Sequence, residues 1–306
     1  SLFAFEPGTR GTCAVFEQGE QLWLHAFLLQ PYGDELYDIE TAHGYGGPWS
    51  NSDDPAFIAR AYAAYTDWLE SQGVIAEFLR LHPLIRNESY INAEVERDRT
   101  TCSIDLTQEL RFGAKVRNML KRATEEGVLV EQVSAVEHVD TFHALYDANM
   151  KTLDADSFYR FDRAFFHALA PFVDQHGMLL ACIRDGRWVA AAILLHASPY
   201  LHYFLSASDY EARVPGTVNL LLQEAASLGQ SMGCERFHLG GGRTAAEDDS
   251  LLLFKKSLCT DEHLFHISKR VVHPERYAAV CDAWRAANPR MAERYGHRIL
   301  CYRYLS

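Results

Sequence analysis

The stretch MLLACIRDGRWVAAAILLHASPYLHYFLSA, residues 178–207, decides the fold that the sequence predicts. Two apolar runs, residues 178–183 and 188–196, are joined by Asp185-Gly186, a dipeptide that favours a tight hairpin turn. A third apolar run, residues 200–207, follows closely. The segment therefore predicts three consecutive antiparallel strands.

Helical and strand patterns alternate around this segment. Downstream we predict a helix over 216–232, a strand over 235–239, the loop Gly240-Gly241-Gly242, a helix over 248–257, a helix from His273-Pro274 and a closing strand over 298–304. Upstream we predict a strand over 128–133 and helices over 136–151 and 161–176. The order of predicted helices and strands in the second half of the chain can therefore be compared with the order in the first half.

The first half has a shorter version of the same order. A hairpin turns at residues 18–20, a helix starts at Asp53-Asp54-Pro55, a strand covers 74–81, and a helix covers 108–126. We therefore predict an α/β (α+β) fold with two tandem subdomains, residues 1–133 and 134–297, with the closing strand 298–304 packing on the first. Each subdomain is expected to be a mixed, mostly antiparallel sheet flanked by helices.

Composition and charge limit the partners and the kinds of site that are expected of the protein. The 306 residues include 29 basic and 41 acidic side chains, a net charge of −12, which disfavours DNA as a partner. No apolar run reaches the roughly 18 residues of a membrane-spanning helix, so no integral membrane segment is expected. Seven cysteines without a CxxC motif are typical of reduced thiols in a cytoplasmic protein, and neither the cysteines nor the histidines form a convincing metal site.

Two segments are candidate anion sites. On the predicted helix over 108–126, Arg111, Lys115 and Arg122 fall on one stripe, which is either an anion patch or an ordinary solvated face. The loop over 208–217 lies between a strand and a helix N-terminus, where free N–H groups and Arg213 could hold phosphate. The alternative for this loop is a simple capped turn.

Four segments together resemble a known family. They are the loop over Gly44-Tyr45-Gly46-Gly47-Pro48, the run FLRLHP at 78–83, the pair of IDL at 104–106 with KVRNMLKRA at 115–123, and LGGG at 239–242 followed by DSLLLFKK at 249–256. Their order and spacing resemble the FemAB-like branch of the GNAT (acyl-CoA N-acyltransferase) superfamily. The family's Arg-x-Asp-Pro is Arg80-Leu81-His82-Pro83 here, and no long charged helical hairpin follows.

The resemblance implies two GNAT-like subdomains and acyl or aminoacyl transfer to an amine. The donor would be acyl-CoA or aminoacyl-tRNA, with no bound cofactor, and the acceptor a small molecule, an amino sugar or a cell-envelope precursor. Members of the family use aminoacyl-tRNA to extend cell-wall peptide precursors, so tRNA is a candidate partner. Two alternatives remain open: an acetyl-CoA-dependent N-acetyltransferase of a small amine, and a degenerate GNAT pair that only binds a ligand.

The resemblance also suggests roles for residues. The family's Phe-Lys matches Phe254-Lys255, and Lys255 would stabilise the oxyanion while His82 accepts the amine proton. Substrate contacts are expected from Tyr45, Gly46, Arg80 and Phe254, and donor contacts from Tyr210, Arg213, Gly216 and Thr217. Alternatively, Lys255 is a surface residue, His82 is structural, and residues 44–48 are only a tight turn.

Overall fold

A computed structural model describes residues 8–33, 35–154 and 159–304 of the chain. The chain forms two compact units. The first is discontinuous, taking the chain up to Asp98 and again from Leu264, and the second is Arg99–His263. These boundaries differ from the predicted 133/134 and 297 because the segment 114–133 packs and pairs within the second unit.

Strands and helices alternate along the chain. The strands are β1 (Arg10–Gln18), β2 (Gln21–Tyr32), β3 (Leu36–Glu40), β4 (Gly47–Ser50), β5 (Val74–Arg80), β6 (Val95–Asp105), β7 (Leu129–Val133), β8 (Gly177–Arg184), β9 (Arg187–Ala197), β10 (Tyr200–Ser208), β11 (Arg236–Gly241) and β12 (Asp261–Val271). The helices are α1 (Pro55–Ser71), α2 (Ala114–Glu125), α3 (Ala135–Thr152), α4 (Arg163–His176), α5 (Thr217–Ser231), α6 (Ser250–Lys256), α7 (Pro274–Ala287) and α8 (Pro289–Tyr295). Short 3-10 helices cover Asn87–Tyr90 and Cys301–Arg303.

The two units share one arrangement of strands. In the first, β1, β2 and β3 pair antiparallel in sequence order, α1 follows, β5 pairs parallel with β3, and β12 pairs antiparallel with β5. In the second, β8, β9 and β10 pair antiparallel, α5 follows, β11 pairs parallel with β10, and β6 pairs antiparallel with β11. The predicted α/β fold is confirmed: each unit has a mixed, mostly antiparallel sheet with helices packed on it.

Each unit has its own apolar core on a helix-covered sheet face. In the first unit, Asp54 caps α1 by accepting the Ala56 N–H, and the buried face of α1 packs on Trp23 and Phe27 of β2. In the second unit, Leu221 and Ala225 of α5 lie in one core with α2, α6 and strands β8 to β11. The amphipathic spacing that predicts these helices therefore also places them on their sheets.

Three predicted elements are wrong in detail. The helix predicted over 108–126 begins only at Ala114, because Gly113 is extended and caps it, so Arg111 lies outside the helix. The segment predicted as a closing strand, 298–304, contains a 3-10 helix instead, although its buried Cys301 and Tyr302 do pack on β5 of the first unit. The loop predicted over 42–49 contains the start of β4, and β12 is a strand that the sequence pattern did not indicate.

Among the described residues, none of the helices combines the length and the apolar character needed to cross a bilayer.

Candidate functional site

In the second unit, β10 and β11 separate partway along their length. Their parallel pairing covers Tyr200, Leu201 and His202, which face Arg236, Phe237 and His238. Both strands continue beyond these pairs, β10 to Ser208 and β11 to Gly241. A bulge between Tyr203 and Leu205 lies just after the last pair. The pair therefore opens toward the carboxyl ends of its strands.

Lys255 lies at this opening, in the last turn of α6. Only 7% of its surface is exposed. Its Nζ donates to the carbonyl oxygen of Gly241 at 2.7 Å, and it lies 5.9 Å from the ring centroid of Tyr203. Burial lowers the pKa of Lys255 to about 8, although the charge of the Asp249 carboxylate opposes part of this effect. A buried amine of this kind is typical of functional sites.

Asp249 holds the helix that carries Lys255. Its Oδ1 accepts the N–H groups of Leu251 and Leu252 at 2.9 and 3.1 Å, and its Oδ2 accepts from Thr244. A side chain at Gly242 would approach Asp249 Oδ1 to 2.6 Å, so the glycine loop can pack here only without a Cβ. The sequence motif thus has a structural function in positioning α6.

The neighbouring Lys256 lies beside carboxylates, and its pKa shifts in the direction opposite to that of Lys255. Its Nζ forms ion pairs with Glu247 at 3.1 Å and Glu262 at 3.0 Å. These carboxylates raise the pKa of Lys256. Of the two adjacent lysines, only Lys255 is the buried cation that the resemblance singled out.

The predicted donor loop is ordered by its own contacts. The Arg213 guanidinium stacks over the Tyr210 ring, 4.1 Å from the centroid, and 46% of the Tyr210 surface is exposed. Gly216 has a φ of +93°, and a Cβ there would lie 2.0 Å from the Met119 carbonyl oxygen. Thr217 is buried, and its hydroxyl donates to the Val214 carbonyl at 2.8 Å. Arg213 and Tyr210 therefore carry the outward-facing chemistry of this loop, while Gly216 and Thr217 shape it.

Tyr203 is absent from the site residues that the sequence predicts, whereas Phe254 is among them with a substrate role. Tyr203 is the first β10 residue beyond the last β10–β11 pair, and burial raises its pKa to about 12, so the phenol stays protonated. Phe254 is partly buried against the core of the second unit. The position of Tyr203 in the predicted strand over 200–207, shortly before the predicted donor loop, is the sequence signal that could have identified it.

In the first unit, the guanidinium of the predicted substrate residue Arg80 binds Glu40 and the two residues that follow it. Its Nη1 pairs with Glu40 Oε1 at 2.6 Å, and its Nη2 donates to the carbonyls of Thr41 at 2.5 Å and Ala42 at 3.3 Å. Only 15% of the Arg80 side chain is exposed. This geometry fits a clamp that fastens the segment after β3, and it leaves substrate binding by Arg80 without structural support.

His82 and Tyr45 share an aromatic cluster in the first unit. The Tyr45 ring centroid lies 6.2 Å from that of His82 and 5.1 Å from that of Phe265. His82 Nδ1 accepts backbone N–H groups of Leu84 at 3.2 Å and Ile85 at 3.4 Å. The neutral ring therefore carries its proton on Nε2, and the expected role as a base does not fit this tautomer.

Buried Asn87 is a further residue that the sequence did not suggest. Its Oδ1 accepts the His82 N–H at 2.7 Å, and its Nδ2 donates to the Gly46 carbonyl at 2.7 Å. Gly46 also donates its N–H to the Arg80 carbonyl at 2.8 Å. The glycine loop with Tyr45 and the turn with His82 are thus tied into one piece.

The candidate anion patch is not a single stripe. Arg111 lies before α2, and its guanidinium binds Glu109 Oε2 at 2.7 Å. Lys115 and Arg122 are exposed on α2, and the nearby Lys121 pairs with Glu125 at 3.6 Å. The predicted alignment of Arg111 with Lys115 and Arg122 is wrong because the helix starts at Ala114.

Comparisons with known proteins bear on the fold of the chain. The family model for an acetyltransferase (GNAT) domain matches residues 111–248. No curated protein sequence matches the chain.

Solved structures have the same fold at low sequence identity. FemX superposes with a TM-score of 0.71 and 11% identity, over 89% of this chain and 90% of FemX. A domain from Agrobacterium fabrum, assigned as the C-terminal domain of a lysylphosphatidylglycerol synthetase, has a TM-score of 0.59 and 15% identity over 85% of this chain and 84% of its own. L-PGS from Bacillus licheniformis has a TM-score of 0.57 and 12% identity, over 81% of each chain. The resemblance to the FemAB-like branch is thereby confirmed in the fold, and residues 111–248 match the model of an acetyltransferase (GNAT) domain.

Proposed function

We propose that the protein is an N-acyltransferase that moves an acyl group from acyl-CoA to the amine of a small molecule or cell-envelope precursor. The observation that carries this proposal is the separation of β10 from β11 with the Lys255 amine at the opening. A split parallel pair exposes backbone N–H and C=O groups along which an extended thioester can lie. The matched GNAT domain contains both strands of this pair.

Lys255 is the proposed catalytic residue. The acceptor amine attacks the thioester carbonyl carbon, the C–N bond forms, and the C–S bond breaks as the thiolate leaves and takes up a proton. An ammonium group has three N–H donors, and the Gly241 carbonyl takes one from Lys255. A buried positive charge beside the carbonyl oxygen stabilises the oxyanion that develops there.

The loop around Arg213 is the proposed site for the donor's phosphates. Arg213 supplies one charge, and α5 begins directly after the loop, so the positive end of the helix dipole faces the same place. Gly216 allows the loop to approach the Met119 carbonyl closely.

Acyl-CoA is favoured over aminoacyl-tRNA by the distribution of charge. A tRNA donor requires a continuous basic surface, because each phosphate contact needs its own cation. Here Arg111 is paired with Glu109, Lys121 with Glu125, and the chain carries a net charge of −12. One CoA molecule makes few phosphate contacts, which the loop around Arg213 can provide.

Aminoacyl transfer is the second candidate, favoured by the likeness to a lysylphosphatidylglycerol synthetase domain. Its test is the affinity of the protein for charged tRNA at two salt concentrations, in the wild type and in an Arg111→Ala, Lys115→Ala variant. RNA binding through this region requires a steep salt dependence that becomes shallower in the variant. A salt-independent, unchanged affinity removes this candidate.

The primary experiment is a donor screen by mass spectrometry. Acyl-CoAs and aminoacyl-tRNAs are each incubated with the protein and a pool of amines, and new amides are detected by their mass. Amide formation from acyl-CoA, absent with Lys255→Met, supports the proposal. Binding of CoA without any amide product, and the same in Lys255→Met, indicates the degenerate binding protein instead.

The pH dependence tests the charge on Lys255. Its pKa lies at about 8, so the ammonium is present below this pH and is lost above it. We expect turnover to fall as pH rises through 8 in the wild type, and not in Lys255→Arg, which keeps its charge. A rise through pH 8 that depends on Lys255 would identify it as a base and contradict the oxyanion role.

A further inference from the structure

Two cysteines lie beside the turn that carries Lys255. Cys102 is on β6, directly opposite Gly240 of β11, and is fully buried. Cys259 follows α6 and is partly exposed, and its backbone N–H donates to the Lys255 carbonyl at 3.0 Å. Cys259 also packs against the apolar core cluster that contains Cys102. The described contacts therefore connect one accessible sulfur, one buried sulfur and the Lys255 turn.

The backbone fixes these two cysteines close together. Thr260, next to Cys259, donates its N–H to the Ser103 carbonyl at 3.0 Å, and Ser103 is next to Cys102. The Thr260 hydroxyl accepts the Asp105 N–H at 2.7 Å. The segment after α6 is thus tied to β6 at the residues that flank both thiols, and their approach does not depend on side-chain rotation alone.

The two thiols have different chemistry. The interaction between the two thiols raises the pKa of Cys102 and lowers that of Cys259. The thiolate is the reactive form in thiol–disulfide exchange, and an attacking thiolate must also be reachable. Cys259 meets both conditions, whereas Cys102 is fully buried.

We propose that Cys259 and Cys102 form a thiol–disulfide site, with Cys259 as the attacking thiol, Cys102 as the resolving thiol, and a small disulfide such as oxidised glutathione as the oxidant. The Cys259 thiolate attacks one sulfur of oxidised glutathione, forms a mixed disulfide and releases one glutathione thiolate. Cys102 then loses its proton, attacks the Cys259 sulfur and releases the second glutathione. The protein loses two electrons and two protons, and oxidised glutathione is reduced to two thiols.

A second pair of thiols provides an internal control. Cys281 and Cys301 lie with their Sγ atoms 3.6 Å apart in the core of the first unit. Both are buried, at 1% and 0% exposure, and burial raises the pKa of Cys301 to about 11. This pair has the proximity for a disulfide and lacks an accessible attacking thiol, so proximity and access can be tested separately.

The experiment is disulfide mapping of the full chain after incubation with oxidised glutathione. Peptides from a non-reducing digest are identified by mass spectrometry. We expect a Cys102–Cys259 linkage in the wild type that dithiothreitol reverses, with Cys281 and Cys301 still reduced. In Cys102→Ser, Cys259 should remain as a mixed disulfide with glutathione; in Cys259→Ser, Cys102 should stay unmodified. Cys281→Ser is the matched control and should map as the wild type does.

Two results would overturn the proposal. One is a wild-type protein in which exposed Cys13 reacts while Cys102 and Cys259 remain thiols. The other is a Cys281–Cys301 linkage that forms at least as fast, which would show that access is not the deciding factor. Because mapping needs no substrate, either result is independent of the acyltransferase proposal.

Discussion

The same strand pair is closed in one unit and open in the other. In the first unit, β3 and β5 pair over Tyr37 to Glu40, and the contact continues with Thr41 N–H to the Phe78 carbonyl at 3.3 Å and Gly46 N–H to the Arg80 carbonyl at 2.8 Å. In the second unit, β10 has nine residues, and only three of them pair with β11. The open pair is the one that has a buried lysine at its opening.

The cationic side chain beside each strand pair has a different set of partners. Where the strands stay paired, Arg80 directs its donors to Glu40, Thr41 and Ala42, and so secures the closed edge. Where they separate, Lys255 has one carbonyl partner, and burial lowers its pKa to about 8. A charge held at such a cost to stability is expected at a functional site rather than in a stable core.

Among the substitutions that test this comparison, the one at Lys255 should have the largest effect, a loss of turnover. Lys255→Met should lower turnover by about 10²-fold or more, the scale of losing one oxyanion-stabilising group. Lys256→Met should stay within a few-fold, because Lys256 is neutralised by Glu247 and Glu262. The measurement is amide formation with the donor and amine found by the screen. Equal losses in both variants would contradict the assignment.

Arg80→Met tests the closed pair. Removing the guanidinium takes the Arg80 donors away from Glu40 and from two carbonyls, and the expected loss is about 2 kcal/mol in the free energy of unfolding. Urea denaturation measures this loss. Arg80→Lys is the matched variant, because it keeps the positive charge but lacks the planar guanidinium group with its several N–H donors. Unchanged stability with a raised acceptor KM would instead return Arg80 to substrate binding.

Arg213→Ala tests the open unit at its donor loop. The donor KM should rise about tenfold with a smaller change in kcat, as expected for uniform binding of phosphate. The cation–π contact with Tyr210 makes Tyr210→Leu a useful companion, because it removes the ring that orients Arg213 while keeping its charge. A donor KM that is unaffected by Arg213→Ala would move the phosphate site elsewhere.

The smallest effect is expected at His82. Since its Nδ1 accepts two backbone N–H groups, His82→Gln should retain most of the turnover and the wild-type pH profile. The measurement is the turnover rate against pH in both proteins. If the variant lost the acidic limb and turned over at least about 10²-fold more slowly, His82 would be acting as a general base.

Local signals predicted most of the fold. The Asp185-Gly186 turn, the Asp54 cap and the amphipathic spacing of α5 are properties of neighbouring residues, and each is confirmed by the structure. β12 was not predicted from the sequence because its apolar residues, such as Phe265 and Ile267, are interrupted by histidine and charged side chains. The segment 298–304 has the apolar signal of a strand because Cys301 and Tyr302 are buried, although the backbone that buries them is a 3-10 turn.

The site was predictable in its residues more than in its geometry. Lys255 and the loop around Arg213 stand out in the sequence by motif and position. The opening between β10 and β11 depends on which residues of two separate segments pair, and no local pattern records it. The same is true of His82, whose proton position is set by the backbone of Leu84 and Ile85. Such features require the folded backbone.

The discontinuity of the first unit has a consequence for synthesis on the ribosome. Buried Asp38 receives its ion-pair partner Arg303 from 265 residues further along, at 2.9 Å. At about 5–20 residues per second, Asp38 is translated roughly 13 to 50 s before Arg303. Arg99–His263 is continuous, so this unit has all of its strands before the first unit has its last. The emerging chain therefore completes the continuous unit first, while the part of the first unit that is made earliest waits for Arg303.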